Sequence, residues 1–136
     1  MQWDSGPNAG FCPPHVQPWL PLAPDYQQVN VARELEVHSS MLSMTRRVLE
    51  LRRETAALNI GSYRAIGSTD QNCFLFLREH EDVRRLVALN FSAGDQQVPL
   101  DGYRGSILVS THVDREDEEC AGELSLRPYE GVILRV

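Results

Sequence analysis

The spacing of apolar residues changes along the chain and divides it into three zones with different expected structures. Residues 40 to 58 place Met41, Met44, Val48, Leu51 and Leu58 at helical intervals, with Leu42 and Leu49 widening the stripe. Arg46, Arg47, Arg53 and Glu54 lie mostly off that stripe, which predicts one amphipathic helix with a single face to bury. Ser39 or Ser40 supplies an N-cap. Gly61, just past Asn59, reads as a stop signal, because glycine takes the positive φ of a helix end at no steric cost.

From Ser62 onward the apolar residues fall into short β-type runs at 62–66, 73–78, 86–91, 97–100, 107–110, 124–126 and 132–136. Turn formers separate them at Gly67-Ser68, Ala93-Gly94-Asp95, Asp101-Gly102 and Glu130-Gly131. Six or seven short strands with frequent turns predict an antiparallel β-sandwich, and about 75 residues suffice for a small core of its own. Ahead of the helix the picture differs. Six of the eight prolines (Pro7, Pro13, Pro14, Pro18, Pro21 and Pro24) lie in residues 1 to 38. Proline lacks an amide donor and fixes φ, so a long loop without helix or central strand is expected there. The fold class predicted is therefore α+β: an irregular N-terminal loop, one helix, and an all-β antiparallel sandwich.

Composition narrows the function more by exclusion than by indication. A net charge of −6, with no cationic cluster longer than Arg46-Arg47 or Arg84-Arg85, argues against nucleic acid as a partner. The chain starts Met1-Gln2-Trp3-Asp4 without a basic, then apolar, leader, and no stretch approaches the ~18 apolar residues of a membrane span. No membrane partner and a cytoplasmic location are the expectation. Cys12, Cys73 and Cys120 have neither disulfide-framework nor zinc spacing, and His15, His38, His80 and His112 suggest neither a metal site nor a triad. Neither a metal nor a cofactor is expected. The run Asp114-Arg115-Glu116-Asp117-Glu118-Glu119 lacks the glycine and the spaced acid of a calcium loop and reads as a solvated hairpin tip.

Several uncommon words occur in one order: Met1-Gln2-Trp3-Asp4-Ser5-Gly6-Pro7-Asn8-Ala9-Gly10-Phe11, then Pro18-Trp19-Leu20-Pro21, Pro24-Asp25-Tyr26 and Val29-Asn30-Val31. Together they closely resemble family 13 glycoside hydrolases (the α-amylase superfamily) of the α-glucosidase and oligo-1,6-glucosidase type. Leu49 to Leu58 with Gly61 and Tyr63 looks like that family's last barrel helix and its exit. Leu89-Asn90-Phe91-Ser92 and Leu126-Arg127-Pro128-Tyr129-Glu130 resemble its C-terminal β-domain more loosely. The resemblance implies that residues 1–60 are the end of a (β/α)8 catalytic barrel, its last loop and last helix, and that 61–136 are the terminal β-domain. It also implies carbohydrate metabolism, with hydrolysis of α-glucosidic bonds in an intact relative.

Retaining glycoside hydrolysis needs two carboxyl groups about 5 to 5.5 Å apart. None of the chain's nineteen acids lies in the motifs where the family carries its catalytic carboxylates, so no catalytic residue is assigned and the chain is expected to be inactive alone. Trp3 and Asp4 admit two readings: a rim of the sugar pocket, by aromatic stacking and a hydrogen bond, or a packing anchor and a turn carboxylate that satisfies backbone amides. An α-glucoside partner is expected only where a barrel completes the pocket. The alternatives are a transglucosylase such as a trehalose synthase, and a non-catalytic β-module that binds carbohydrate or a protein. Without a barrel to cover it, the helix face is expected to dock on the β-domain, to self-associate with a second copy, or to fray.

Overall fold

The computed structural model describes residues 1–67 and 71–136, which form two compact units, Met1–Arg46 and Arg47–Val136. In the first unit, a 3-10 turn at Pro7–Gly10 is followed by irregular chain and then by helix α1, Val31–Glu36. The expectation of no helix in residues 1 to 38 fails at α1. The proline argument reaches only as far as Pro24, and beyond it Asn30 caps the helix: extended itself (φ −155°), its side-chain oxygen accepts the Arg33 amide at 3.0 Å. Asn30 is fully buried, and its Nδ2 donates to the Tyr26 carbonyl at 2.9 Å.

Helix α2 runs Met41–Glu54, with Ser40 rather than Ser39 at its cap, since Ser40 Oγ accepts the Ser43 amide at 3.1 Å. The predicted single helix stops short. Thr55 is extended (φ −111°, ψ 108°), and a separate turn of helix, α3, follows at Ala56–Asn59. A β-branched residue is at ease in that conformation, so the stripe from Met41 to Leu58 is broken one turn before its end. Gly61 does end the helical region, but not through positive φ. A Cβ there would lie 2.3 Å from the Ala57 carbonyl oxygen and 2.8 Å from that of Glu79, so glycine is required because two backbones pass too close for a side chain.

Six strands follow: β1 Ser62–Ile66, β2 Cys73–His80, β3 Val83–Asn90, β4 Gln96–Ser110, β5 Glu119–Leu126 and β6 Gly131–Arg135. All neighbours are antiparallel, in the order β1-β2-β3-β6-β4-β5. The runs at 97–100 and 107–110 are one strand. Asp101-Gly102, expected as a turn, instead sits in a bulge where the register with β5 shifts between Pro99 and Arg104, both residues taking positive φ (47° and 86°). Of the expected turn at Gly67-Ser68, Ser68 lies outside the described residues.

Alternation along the strands sends one face of the sheet into a single core that includes Leu75, Leu77, Leu86, Ile107, Leu124 and Leu134. Four strand spacings separate β1 from β4, about 19 Å in a flat sheet, yet Arg64 Nη2 on β1 donates to the Tyr103 hydroxyl on β4 at 2.6 Å. The sheet therefore curls over its core into two facing layers, which is how a sandwich buries an inner surface. On its other face, Leu108, Val109 and Ile133 are covered by Val48, Leu51 and Leu58. Of the three fates expected for the helix stripe, docking on the β-domain is realised for this part. Leu49 and Met41 remain 57% and 67% exposed.

Candidate functional site

The loop that opens the first unit is shaped by its backbone. Trp3 N–H donates to the Ala9 carbonyl at 3.0 Å, while the amides of Val31 and Ala32 donate to the carbonyls of Gln2 and Trp3 at 2.9 and 3.0 Å. Between these ties, Asn8, Ala9 and Gly10 all take positive φ (58°, 51° and 74°), and Ala9 is fully buried. For the two non-glycine residues this is a sparsely populated conformation that persists only where the surroundings impose it. Asn8 contributes to that constraint, its Nδ2 donating to the carbonyls of Pro13 and Val16 at 2.8 Å each.

The two rim candidates lie inside this turn. Asp4 Oδ1 accepts the Gly6 amide at 2.8 Å, an Asx-type contact, and its Oδ2 lies 2.7 Å from where a Cβ on Gly10 would stand. Asp4 is thus held from one side by an amide and admitted on the other by the missing side chain of Gly10. Trp3 is 56% exposed. Beyond the turn, Phe11, Cys12, Val16, Trp19, Leu20 and Leu22 line a cleft of about 500 Å³, with Trp19 90% exposed. Sequence reasoning missed this cleft, although two prolines flanking Trp19-Leu20 were a signal that these side chains would be presented on stiff backbone.

The other concentration of ionisable groups lies in the second unit. Glu130 is fully buried, and its carboxylate accepts from the Arg127 amide (2.8 Å), the Arg127 guanidinium (2.7 Å) and Arg115 (3.0 Å). Arg127 also holds Asp114 by two bonds of 2.7 Å, and Arg115 holds Glu118 at 2.6 and 2.7 Å. Burial by itself would raise the Glu130 carboxyl, but the hydrogen bonds from Arg127 and the charges of Arg115 and Arg127 outweigh it and leave it below the ordinary carboxylate range. Arg127 draws Asp114 down to about 2. These carboxylates are fixed as anions by arginine. The acidic run is consequently anchored at Asp114, Arg115 and Glu118, while Glu116 and Asp117 face solvent.

Two of the quoted words gain a structural reason here. Asn90, buried in Leu89-Asn90-Phe91-Ser92, donates to the carbonyls of Gly94 and Arg127 and accepts from the Ser92 amide and hydroxyl, which fixes the β3–β4 turn. Leu126-Arg127-Pro128-Tyr129-Glu130 folds back on itself through Glu130, with Tyr129 at positive φ.

Comparison with known proteins gives these features a lineage. Residues 1–61 match the family model of the alpha amylase catalytic domain. The whole chain is 31% identical to an α-glucosidase of Schizosaccharomyces pombe and 28% identical to an oligo-1,6-glucosidase of Parageobacillus thermoglucosidasius, covering 100% of this chain and 24% of each relative. A trehalose-6-phosphate hydrolase of Escherichia coli is 31% identical over 97% of this chain and 24% of its own length. Among solved structures, the trehalulose synthase of Pseudomonas mesoacidophila superposes with a TM-score of 0.85 at 32% identity, over 98% of this chain and 24% of the synthase. A loop-and-helix segment joined to an antiparallel β-domain, alike in sequence and fold throughout, defines a segment of an α-glucosidase-like glycoside hydrolase. Residues 1–61 belong to the alpha amylase catalytic-domain family, and the similarity to α-glucosidases and oligo-1,6-glucosidases continues over the rest of the chain. It spans about a quarter of the length of the curated relatives it matches. Among the described residues no helix is long and apolar enough to cross a membrane.

Proposed function

We propose that this segment serves the hydrolysis of α-glucosidic bonds, as one wall of a sugar pocket and an accessory β-domain beside a (β/α)8 barrel that supplies the carboxylates. Residues 1–60 are then the last loop and helix of that barrel, and 61–136 its C-terminal domain. The observation that carries this reading is the end of the catalytic-domain match at residue 61, one residue before β1 begins, within a similarity that continues to the end of the chain. Trp3 and Asp4 form the pocket rim. The exposed indole is available to stack on a glucose ring, and the carboxylate is held in place beside it. A cytoplasmic setting suits the odd number and wide spacing of the cysteines.

The reading makes the isolated chain inert toward maltose, isomaltose and an aryl α-glucoside. It also makes the chain functional when it replaces the matching quarter of an α-glucosidase relative. In that chimera, Trp3→Ala and Asp4→Asn each lower kcat/KM at least about tenfold, because a displaced rim misplaces the substrate. Turnover by the isolated chain that Asp4→Asn abolishes with circular dichroism unchanged would overturn it, as would a chimera indifferent to both substitutions. The similarity to a synthase favours transglucosylation as a second reading, and analysis of the chimera's products separates the two. A non-catalytic module binding carbohydrate or protein is the remaining rival; micromolar affinity of the isolated chain for maltose by calorimetry supports it over the pocket-wall reading.

A further inference from the structure

The sheet face opposite the main core carries a row of arginines made by the strand register. Arg78 on β2 is the partner of Arg85 on β3, and Arg85 is the partner of Arg135 on β6. Directly opposed residues of an antiparallel pair share a face with Cα atoms about 4.5 to 5.5 Å apart, so three cations stand side by side. Ser106 on β4 and Glu119 on β5 continue the row. Like charges in that relation oppose folding unless something neutralises them.

Among the described residues, no carboxylate pairs with Arg85 or Arg135, whereas the neighbouring Arg84 pairs with Glu79. Arg78 is committed to carbonyls, donating to Ala57 at 3.3 Å and Gly61 at 2.8 Å, and so fixes the end of α3 beside the row. Arg85 spends one donor on the Arg84 carbonyl at 2.7 Å, and its Nε is buried with no acceptor. That buried donor leaves the cation poorly solvated as well as unpaired, a cost that an anion at the open edge of the guanidinium would offset. Burial and the charge of Arg135 both act to lower the pKa of Arg85, as expected of two cations with no anion between them.

We propose that Arg85 and Arg135 form an oxyanion seat that takes a phosphate group. The exposed Arg135 carries a planar fork of donors, and Arg85, with Nη1 turned to the Arg84 carbonyl and Nε buried, adds its Nη2. A carboxylate can accept from two arginines, as Glu130 does, but brings a single negative charge. A phosphate brings about 1.5 to 2 negative charges near pH 7, enough for both cations, and an oxygen for each strand. The ligand is therefore inorganic phosphate or the phosphate of a small phosphoester, held on the face of the β-domain. The seat lies within the second unit and does not depend on the glycosidase reading.

The test is thermal unfolding of the chain in rising inorganic phosphate, with ionic strength held constant by chloride. The midpoint should rise saturably, as it does when a ligand binds only the native state. Arg135→Gln, at an exposed position, should retain the fold and weaken the apparent affinity roughly ten- to a hundredfold, and Arg85→Gln should do the same. Arg52→Gln, an exposed arginine on α2, should leave the response unchanged. A response equal in the wild type and Arg135→Gln would show phosphate acting as a general stabilising salt and would overturn the proposal. So would no response beyond that of chloride. If Arg85→Gln does not fold, Arg135→Gln alone decides. Repeating the titration with glucose 6-phosphate tells the two sources apart: tighter binding than inorganic phosphate assigns the seat to a phosphosugar, and equal or weaker binding assigns it to free phosphate.

Discussion

Residues 1–46 and 47–136 solve the problem of holding a shape in opposite ways. Ala9 is the one buried hydrophobic residue of the first unit among the described residues, while Met1, Trp3, Phe11, Trp19 and Leu20 are exposed. In the second, buried hydrophobic residues run from Leu51 to Leu134. The first unit is held by carbonyls and amides, with Asn8, Asn30 and Ser40 bonding to main chain across turns. The second is held by a core and by arginine–carboxylate pairs. A region fixed mainly by polar contacts can leave its aromatic rings free to meet something else, whereas a region fixed by its core cannot.

That contrast can be broken first at Glu130. Replacing it by alanine takes from Arg115, whose side chain is only 13% exposed, one of its two carboxylate partners, and leaves the Arg127 amide and turn without their acceptor. The expected loss is about 3 to 5 kcal/mol in urea unfolding, and a loss below about 1 kcal/mol would show that the arginines relax into solvent. Next comes the pair Leu134→Ala and Trp19→Ala. The buried leucine should cost about 2 to 5 kcal/mol and the exposed tryptophan within about 0.5 kcal/mol of nothing. Comparable losses would mean that Trp19 is part of a core.

Gly10→Ala sharpens the comparison further. Its φ of +74° and a Cβ 2.9 Å from that of Trp3 disfavour any side chain, so about 1 to 3 kcal/mol should be lost locally. The amide of Trp3 should then exchange faster while those of Leu77 and Leu86 do not change. The smallest effect is on acid stability. Asp114, Glu118 and Glu130 have folded-state pKa values below their unfolded ones, so their contribution is complete above about pH 4.5 and is lost as pH falls toward 2. The melting midpoint should decline over that interval, and Arg127→Met should flatten the decline.

How much of this was legible in the sequence depended on how local its cause was. β1 was read to the residue, because alternation and flanking turn formers are local signals. The fusion of two runs into β4 was not, since Asp101-Gly102 suits a bulge as well as a turn and only pairing with both β5 and β6 decides between them. Gly61 was read as an end for the wrong reason, because the approach of the Glu79 carbonyl, eighteen positions along the chain, is invisible in a helix-cap pattern. The burial of Glu130 was equally hidden. An acid next to glycine looks like a solvated turn until Arg115, fifteen positions earlier, joins the neighbouring Arg127 on it. At the candidate rim, Trp3 and Asp4 stood out as uncommon words, but the left-handed turn around them rests on Ala9, a residue with no sequence preference for that conformation.

The place of β6 between β3 and β4 has a consequence for how the protein is made. Synthesis delivers β1–β2–β3 as one set of sequential antiparallel strands and β4–β5 as another, and Gly131–Arg135, made after both, joins them. A chain cut between Leu126 and Gly131 would hold two half-sheets with open edges at β3 and β4 and the apolar faces of Leu86 and Ile107 uncovered, the kind of surface that chaperones hold and proteases cut. The order of the strands thus makes closure of the sheet wait on β6.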